Sequence, residues 1–165
     1  MPGLEDLYRE IILDHYRNPR NRGELPTPPA HRSEGFNPLC GDEIQVYLDV
    51  RDGVVEDIRI SGQGCSISQS SASMMSQAVK GRSLSDARAL LRAFKSMMSI
   101  EDGHDHEEAP GGSNGDLAEP GVKMGDLEAL QGVVKYPVRI KCATLAWNTL
   151  AQGLDQAETG DPSTN

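Results

Sequence analysis

The residues in this 165-residue chain best suited to chemistry are Cys40, Asp42, Cys65 and Cys142. In Asn37-Pro38-Leu39-Cys40-Gly41-Asp42 the thiol and the carboxylate stand two positions apart. In extended backbone such side chains share a face. A thiolate and a carboxylate so placed supply half of a tetrahedral zinc site. Cys-Gly-Asp taken alone also reads as a core cysteine beside a turn aspartate. Three thiolates and one carboxylate together make a donor set soft enough to favour zinc. The cysteines do not follow zinc-finger spacing, so the residues alone leave the metal reading and the core reading both open.

The elements that must bring these residues together are legible in the periodicity. From Cys40 the pattern has period two: Cys40, Asp42, Ile44, Val46, Leu48 and Val50 share one parity, and Glu43, Gln45, Tyr47 and Asp49 take the other. That predicts a strand with one buried face and Asp42 at its end. Asp52-Gly53 is a hairpin signal. The return strand carries Val54, Ile58 and Ile60 on one face and ends at Ser61-Gly62-Gln63-Gly64-Cys65. Cys65 then opens a helix with Ile67, Ser71, Met74, Met75 and Ala78, stopped at Gly81. Cys142 is expected in the first turn of a last helix that starts after Tyr136-Pro137 and faces Ile140, Ala143, Trp147, Leu150 and Leu154 to the core. Helix N-termini and the neighbouring Lys141 and Arg139 favour thiolate at Cys65 and Cys142.

The rest of the chain frames these elements. Leu4, Leu7, Tyr8, Ile11, Ile12 and Tyr16 recur at helical spacing up to Asn18-Pro19, with His15 read as a surface or half-buried residue on that helix. A proline-rich connector, Leu25-Pro26-Thr27-Pro28-Pro29, follows. Ser83 is placed to cap a further helix whose stripe is Ala87, Leu90, Leu91, Phe94, Met97 and Met98. A short helix is predicted over Asp126 to Leu130. No internal repeat is visible.

The formal charge of −9 is unevenly spread. Glu101 to Glu119 holds seven carboxylates and the tail from Asp155 holds three, neither with a Lys or Arg. The remaining 15 acids stand against 16 Lys and Arg, so nothing resembles a nucleic-acid-binding surface. Residues 101–122 lack periodicity and are rich in Gly, Pro and acid, which predicts a mobile insert. His104 and His106 in it are read as solvated. No apolar run approaches a membrane span, and the N-terminus lacks a secretory pattern. An odd, small number of cysteines points to a reducing cytoplasm. The expected organisation is one domain over residues 1–154 and a disordered tail over 155–165.

Four stretches carry a family resemblance. They are Leu7-Tyr8-Arg9-Glu10-Ile11-Ile12-Leu13-Asp14-His15-Tyr16, Asn37 to Asp42, Gly62-Gln63-Gly64-Cys65, and Arg139-Ile140-Lys141-Cys142-Ala143-Thr144-Leu145-Ala146-Trp147. In this order they resemble the IscU/NifU N-terminal superfamily, and within it the SufU branch. The resemblance implies an α+β fold, a small antiparallel sheet of about three strands covered by helices, with the further strand near Arg32 to Phe36. It also implies a sulfurtransferase whose zinc ion is held by Cys40, Asp42, Cys65 and Cys142. Such a protein takes persulfide sulfur from a SufS-type cysteine desulfurase and passes it to the SufBCD complex. Cys40 is the implied acceptor, and Arg139 is placed to dock or position the partner. IscU-type proteins have a His before the last Cys, within a Leu-Pro-Pro-Val-Lys context; here the residues are Lys141 and Tyr136-Pro137-Val138-Arg139. The alternatives are a scaffold holding a nascent iron–sulfur cluster on the same four residues and a purely structural zinc domain.

Overall fold

In the computed structural model, residues 2–27, 29–38, 41–99 and 125–159 are described. Cys40 and the whole acidic insert with His104 and His106 lie outside them. The described chain runs α1 (Pro2–Arg17), β1 (His31–Asn37), β2 (Asp42–Arg51), β3 (Val54–Gln63), α2 (Ser66–Val79) and α3 (Leu84–Ser99). A 3-10 helix (Gly125–Lys135) and α4 (Pro137–Thr159) complete it. The strands form one antiparallel sheet in the order β1-β2-β3. This is the α+β architecture expected.

The β2–β3 hairpin turns at Asp52 and Gly53, both at positive φ. Two consecutive residues in that region match the right-handed twist of the flanking strands. Asp42, Ile44, Val46 and Leu48 are buried along β2 as their parity predicts. Tyr47, on the opposite face, is buried as well, because Arg32 on β1 folds over it: the guanidinium lies 5.9 Å from the ring centroid and its Nε donates to Tyr47 Oη at 3.3 Å. On β3 the register slips by one residue: Asp49 faces Asp57, but Val50 faces Val55. The extra residue inverts the alternation, so Val55 rather than Val54 joins Ile58 and Ile60 in the core. Uninterrupted period-two counting cannot foresee that.

α4 packs on β1 and β2 and α2 on β3, covering the inner face of the sheet, and α3 and the 3-10 helix pack against α4 behind them. Their contribution centres on Met74, Met75, Leu90, Phe94, Leu130, Trp147 and Leu150, all buried. Phe94 and Trp147 stack with centroids 4.5 Å apart. α2 also buries Ser70, Ser71, Ser73 and Ser76, and each hydroxyl is hydrogen-bonded. Ser71 illustrates why hydroxyls are tolerated there: it donates to Ala143 O at 2.6 Å and accepts from Trp147 Nε1 at 3.1 Å.

Three sequence readings need correction. His15 is fully buried, 0% exposed, and joins three helices. Its Nδ1 lies 2.8 Å from Ser73 Oγ on α2, and its Nε2 lies 2.9 Å from Asp126 Oδ2 on the 3-10 helix. A helical stripe read from aliphatic residues alone misses a histidine whose partners come from two distant segments. The short helix expected over Asp126 to Leu130 is an 11-residue 3-10 helix reaching Lys135. The domain end expected at Leu154 falls inside α4, which continues to Thr159. Asp155 and Glu158 there both bind Arg88 of α3, at 2.8 and 2.9 Å.

Candidate metal centre

Three element ends meet at one edge of the sheet. Asp42 is the first residue of β2, Cys65 caps α2, and Cys142 lies near the start of α4. One carboxylate oxygen and the two sulfurs lie within 4.8 Å of one another. Three donors so spaced have a common point no more than about 2.8 Å from each, close to the roughly 2.0–2.3 Å of zinc–oxygen and zinc–sulfur bonds.

The surroundings hold the donors in place. Asp42 is 0% exposed, its Oδ1 accepts from the Cys65 backbone N–H at 3.0 Å, and its Oδ2 accepts from Asn37 Nδ2 at 3.4 Å. None of the ion pairs among the described residues involves Asp42. A buried carboxylate without a cation is costly, and two thiols beside it make a metal the fitting counter-charge. Cys65 Sγ accepts from the Ser68 N–H at 3.5 Å, at the N-terminus of α2. Between Gln63 and Cys65, Gly64 is required by space: a Cβ there would stand 2.5 Å from Asp42 Oδ1 and crowd Ser68 Oγ.

Cys142 differs from its sequence reading. It is the sixth residue of α4, beyond the first turn, so its own helix end does not serve it. It is also the more enclosed of the two described thiols, 0% exposed, whereas Cys65 is half-buried. Asn37 Nδ2 reaches Cys142 Sγ at 3.9 Å and so touches two of the three donors. Sequence reading gave Asn37 no role of its own. Its one signal in the sequence is its place at the start of the Asn37 to Asp42 motif, and the structure pairs it with Asp42 across β1 and β2. Cys40 stands two residues before Asp42, and Arg139 is exposed in the first turn of α4, three residues before Cys142.

The profile of the NifU-like N-terminal domain matches residues 7–143, a span that contains all four candidate donors. This chain belongs to that family. Within it, the chain is 41% identical over 158 residues to the zinc-dependent sulfurtransferase SufU of Bacillus subtilis, covering 96% of each chain. It is 35% identical over 154 residues to the iron–sulfur cluster assembly scaffold protein IscU of Streptococcus pyogenes, covering 93% of this chain and 86% of that one. Among solved structures it resembles a putative iron–sulfur cluster assembly scaffold protein for the SUF system from Fervidobacterium islandicum. The TM-score is 0.70 with 28% identity over 88% of this chain and 94% of the other. A nitrogen-fixing NifU-like protein from Brucella abortus matches with TM-score 0.71 and 28% identity, over 94% and 97% of the chains. The SufU resemblance read from the four motifs therefore extends along nearly the whole sequence. Among the described residues no helix is long and apolar enough to cross a membrane.

Proposed function

We propose that this protein is a zinc-dependent sulfur carrier of iron–sulfur cluster assembly. It accepts persulfide sulfur from a SufS-type cysteine desulfurase and delivers it to a SufBCD complex in the cytoplasm. The observation that carries the reading is the convergence of Asp42, Cys65 and Cys142 on one point. Cys40, two residues before Asp42, is the proposed fourth donor. Zinc bound by this set keeps the thiols deprotonated at neutral pH.

The transfer is a thiol exchange with no net oxidation. The Cys40 thiolate attacks the terminal sulfur of the donor's persulfide, the donor's S–S bond breaks, and the donor leaves as a thiolate. Cys40 then carries the persulfide, and a second attack by the recipient's thiolate repeats the exchange. Cys40 is favoured as acceptor because the backbone beside it is permissive. Gly41 has φ +72°, and a Cβ on it would meet nothing within 4 Å. Cys142 by contrast is sealed in the core side of α4, and Cys65 holds the cap of α2. Arg139, exposed one turn before Cys142, is placed to steer the partner.

The test is to mix the protein with desulfurase and cysteine, trap persulfides by alkylation, and map them by mass spectrometry. Extra sulfur on Cys40, absent from Cys40→Ala, is expected. Sulfur mainly on Cys142, with Cys40→Ala accepting at the normal rate, contradicts the assignment. A second reading, a scaffold for a nascent iron–sulfur cluster, is favoured by the 35% identity to an IscU scaffold. Anaerobic purification separates them: iron and acid-labile sulfide on the protein support the scaffold, zinc alone supports the carrier.

A further inference from the structure

Asn37, the last residue of β1, is a buried polar residue that the proposed sulfur transfer does not use. Its backbone pairs with Asp42 across the β1–β2 ladder, so the two side chains stand on one face of the sheet. Its carbonyl accepts from the Gly41 N–H at 2.8 Å, which ties the end of β1 to the residue before Asp42. Its side-chain Nδ2 then reaches Asp42 Oδ2 at 3.4 Å and Cys142 Sγ at 3.9 Å. Cys142 is 105 residues away in sequence and belongs to another element. An amide NH2 carries two protons, one for each of these acceptors. Turning the amide over would set Oδ1 against a carboxylate and a sulfur, acceptor against acceptor.

The main chain holds part of the site. Asp42 Oδ1 and Cys65 Sγ accept from the backbone N–H groups of Cys65 and Ser68. Cys142 lies beyond the first turn of α4, where the backbone N–H groups bond within the helix. Asn37 brings to that sulfur, by a side chain, what the start of α2 brings to Cys65. We infer that Asn37 is a positioning residue that locks Asp42 and Cys142 together as metal ligands. One NH2 group fixes the carboxylate and the sulfur against each other, so that both face the point they share with Cys65. Groups that hydrogen-bond a ligand from outside orient it and tighten its hold on the metal. The inference rests on the zinc reading proposed above. It deepens that reading, because sulfur transfer at Cys40 leaves Asp42 and Cys142 to keep the metal in place.

The experiment compares the wild type with Asn37→Leu, which is close in volume and has no side-chain donor. The smaller Asn37→Ser, whose hydroxyl is too short to serve both acceptors, covers the case in which leucine disturbs folding. Zinc retention against a chelator is expected to fall roughly 10–100-fold in either variant. Loading with cobalt(II) in place of zinc separates positioning from the mere filling of space. A hydrogen bond draws electron density from a thiolate, so its loss should move the sulfur-to-cobalt charge-transfer band to longer wavelength. Lost packing alone would leave the band in place. A further arm needs no variant: in the cadmium-loaded wild type, NMR should show scalar coupling between the Asn37 side-chain N–H protons and the metal nucleus, carried through Cys142 Sγ. Retention within about twofold of wild type, an unmoved band, or no coupling overturns the role of Asn37. A wild type that takes up none of these metals removes the zinc reading, and the role of Asn37 falls with it. A wild type that binds metal beside variants that bind it equally well removes Asn37 alone.

Discussion

Two buried polar clusters, each joining three elements, differ in how they are completed. In the first, His15 of α1 bonds Ser73 of α2 and Asp126 of the 3-10 helix. Ser73 Oγ also accepts from the Arg20 N–H at 2.9 Å. The members satisfy one another, and Ser73 is fully buried. A Ser–His–Asp line of this kind resembles a catalytic relay, yet with its serine sealed from solvent it serves as a clamp. The second cluster brings the Asp42 carboxylate and the Cys65 and Cys142 sulfurs together, with the Asn37 amide and the Cys65 and Ser68 N–H groups beside them. Among the described residues no ion pair includes Asp42, so a metal ion is the fitting counter-charge for its buried carboxylate. Completeness thus separates a structural cluster from a ligand site.

The comparison is broken most forcefully by removing metal. Chelation under reducing conditions should lower the melting temperature by roughly 10 °C, the consequence of losing about 4 kcal/mol of linked binding. Hydrogen exchange should rise at residues 41–44 and 65–68 and stay unchanged around His15. Equal loosening at both clusters would mean that they are not independent. Next in size, His15→Ala leaves buried Ser73 short of a partner and opens a cavity, which should cost about 2–4 kcal/mol. Urea denaturation measures the loss, and zinc content is expected to stay at the wild-type value. Metal loss in that variant would join the two clusters energetically.

A finer probe is Gly64→Ala. The added methyl presses on Asp42 Oδ1 and Ser68 Oγ, so zinc retention against a chelator should fall by about tenfold, near 1.4 kcal/mol. Unchanged retention would show that Asp42 is not held by its packing. Smallest is a pH effect just beyond the clamp. Arg20 and then Asn18 hydrogen-bond Asp14 and hold its carboxyl below the usual 3.8. Its contribution to stability is therefore present above the ordinary carboxylate pKa and is lost as pH falls through the lowered value. A carboxyl-detected titration by NMR should show a midpoint below 3.8, removed upward by Arg20→Gln; a midpoint at or above 3.8 in the wild type contradicts it.

The same contrast explains what the sequence made legible. Asp42, Cys65 and Cys142 could be picked out because each is chemically unusual and each sits at the end of an element whose periodicity is plain. Their mutual distance could not, since it depends on how β2, α2 and α4 pack. His15 was misjudged because its partners lie 58 and 111 residues away and are an ordinary serine and aspartate. Val55 was missed because a single-residue bulge carries no compositional mark here. Asn37 was visible only as part of a motif, and its contact with both Asp42 and Cys142 is a product of tertiary structure.

The most direct test of the metal centre is the zinc content of anaerobically purified protein, compared between the wild type and the Cys65→Ala/Cys142→Ala pair. The account predicts close to one zinc per chain in the wild type and under about a tenth in the variant, because the remaining carboxylate and one thiol make too few ligands. Near-stoichiometric zinc in the double variant would contradict it.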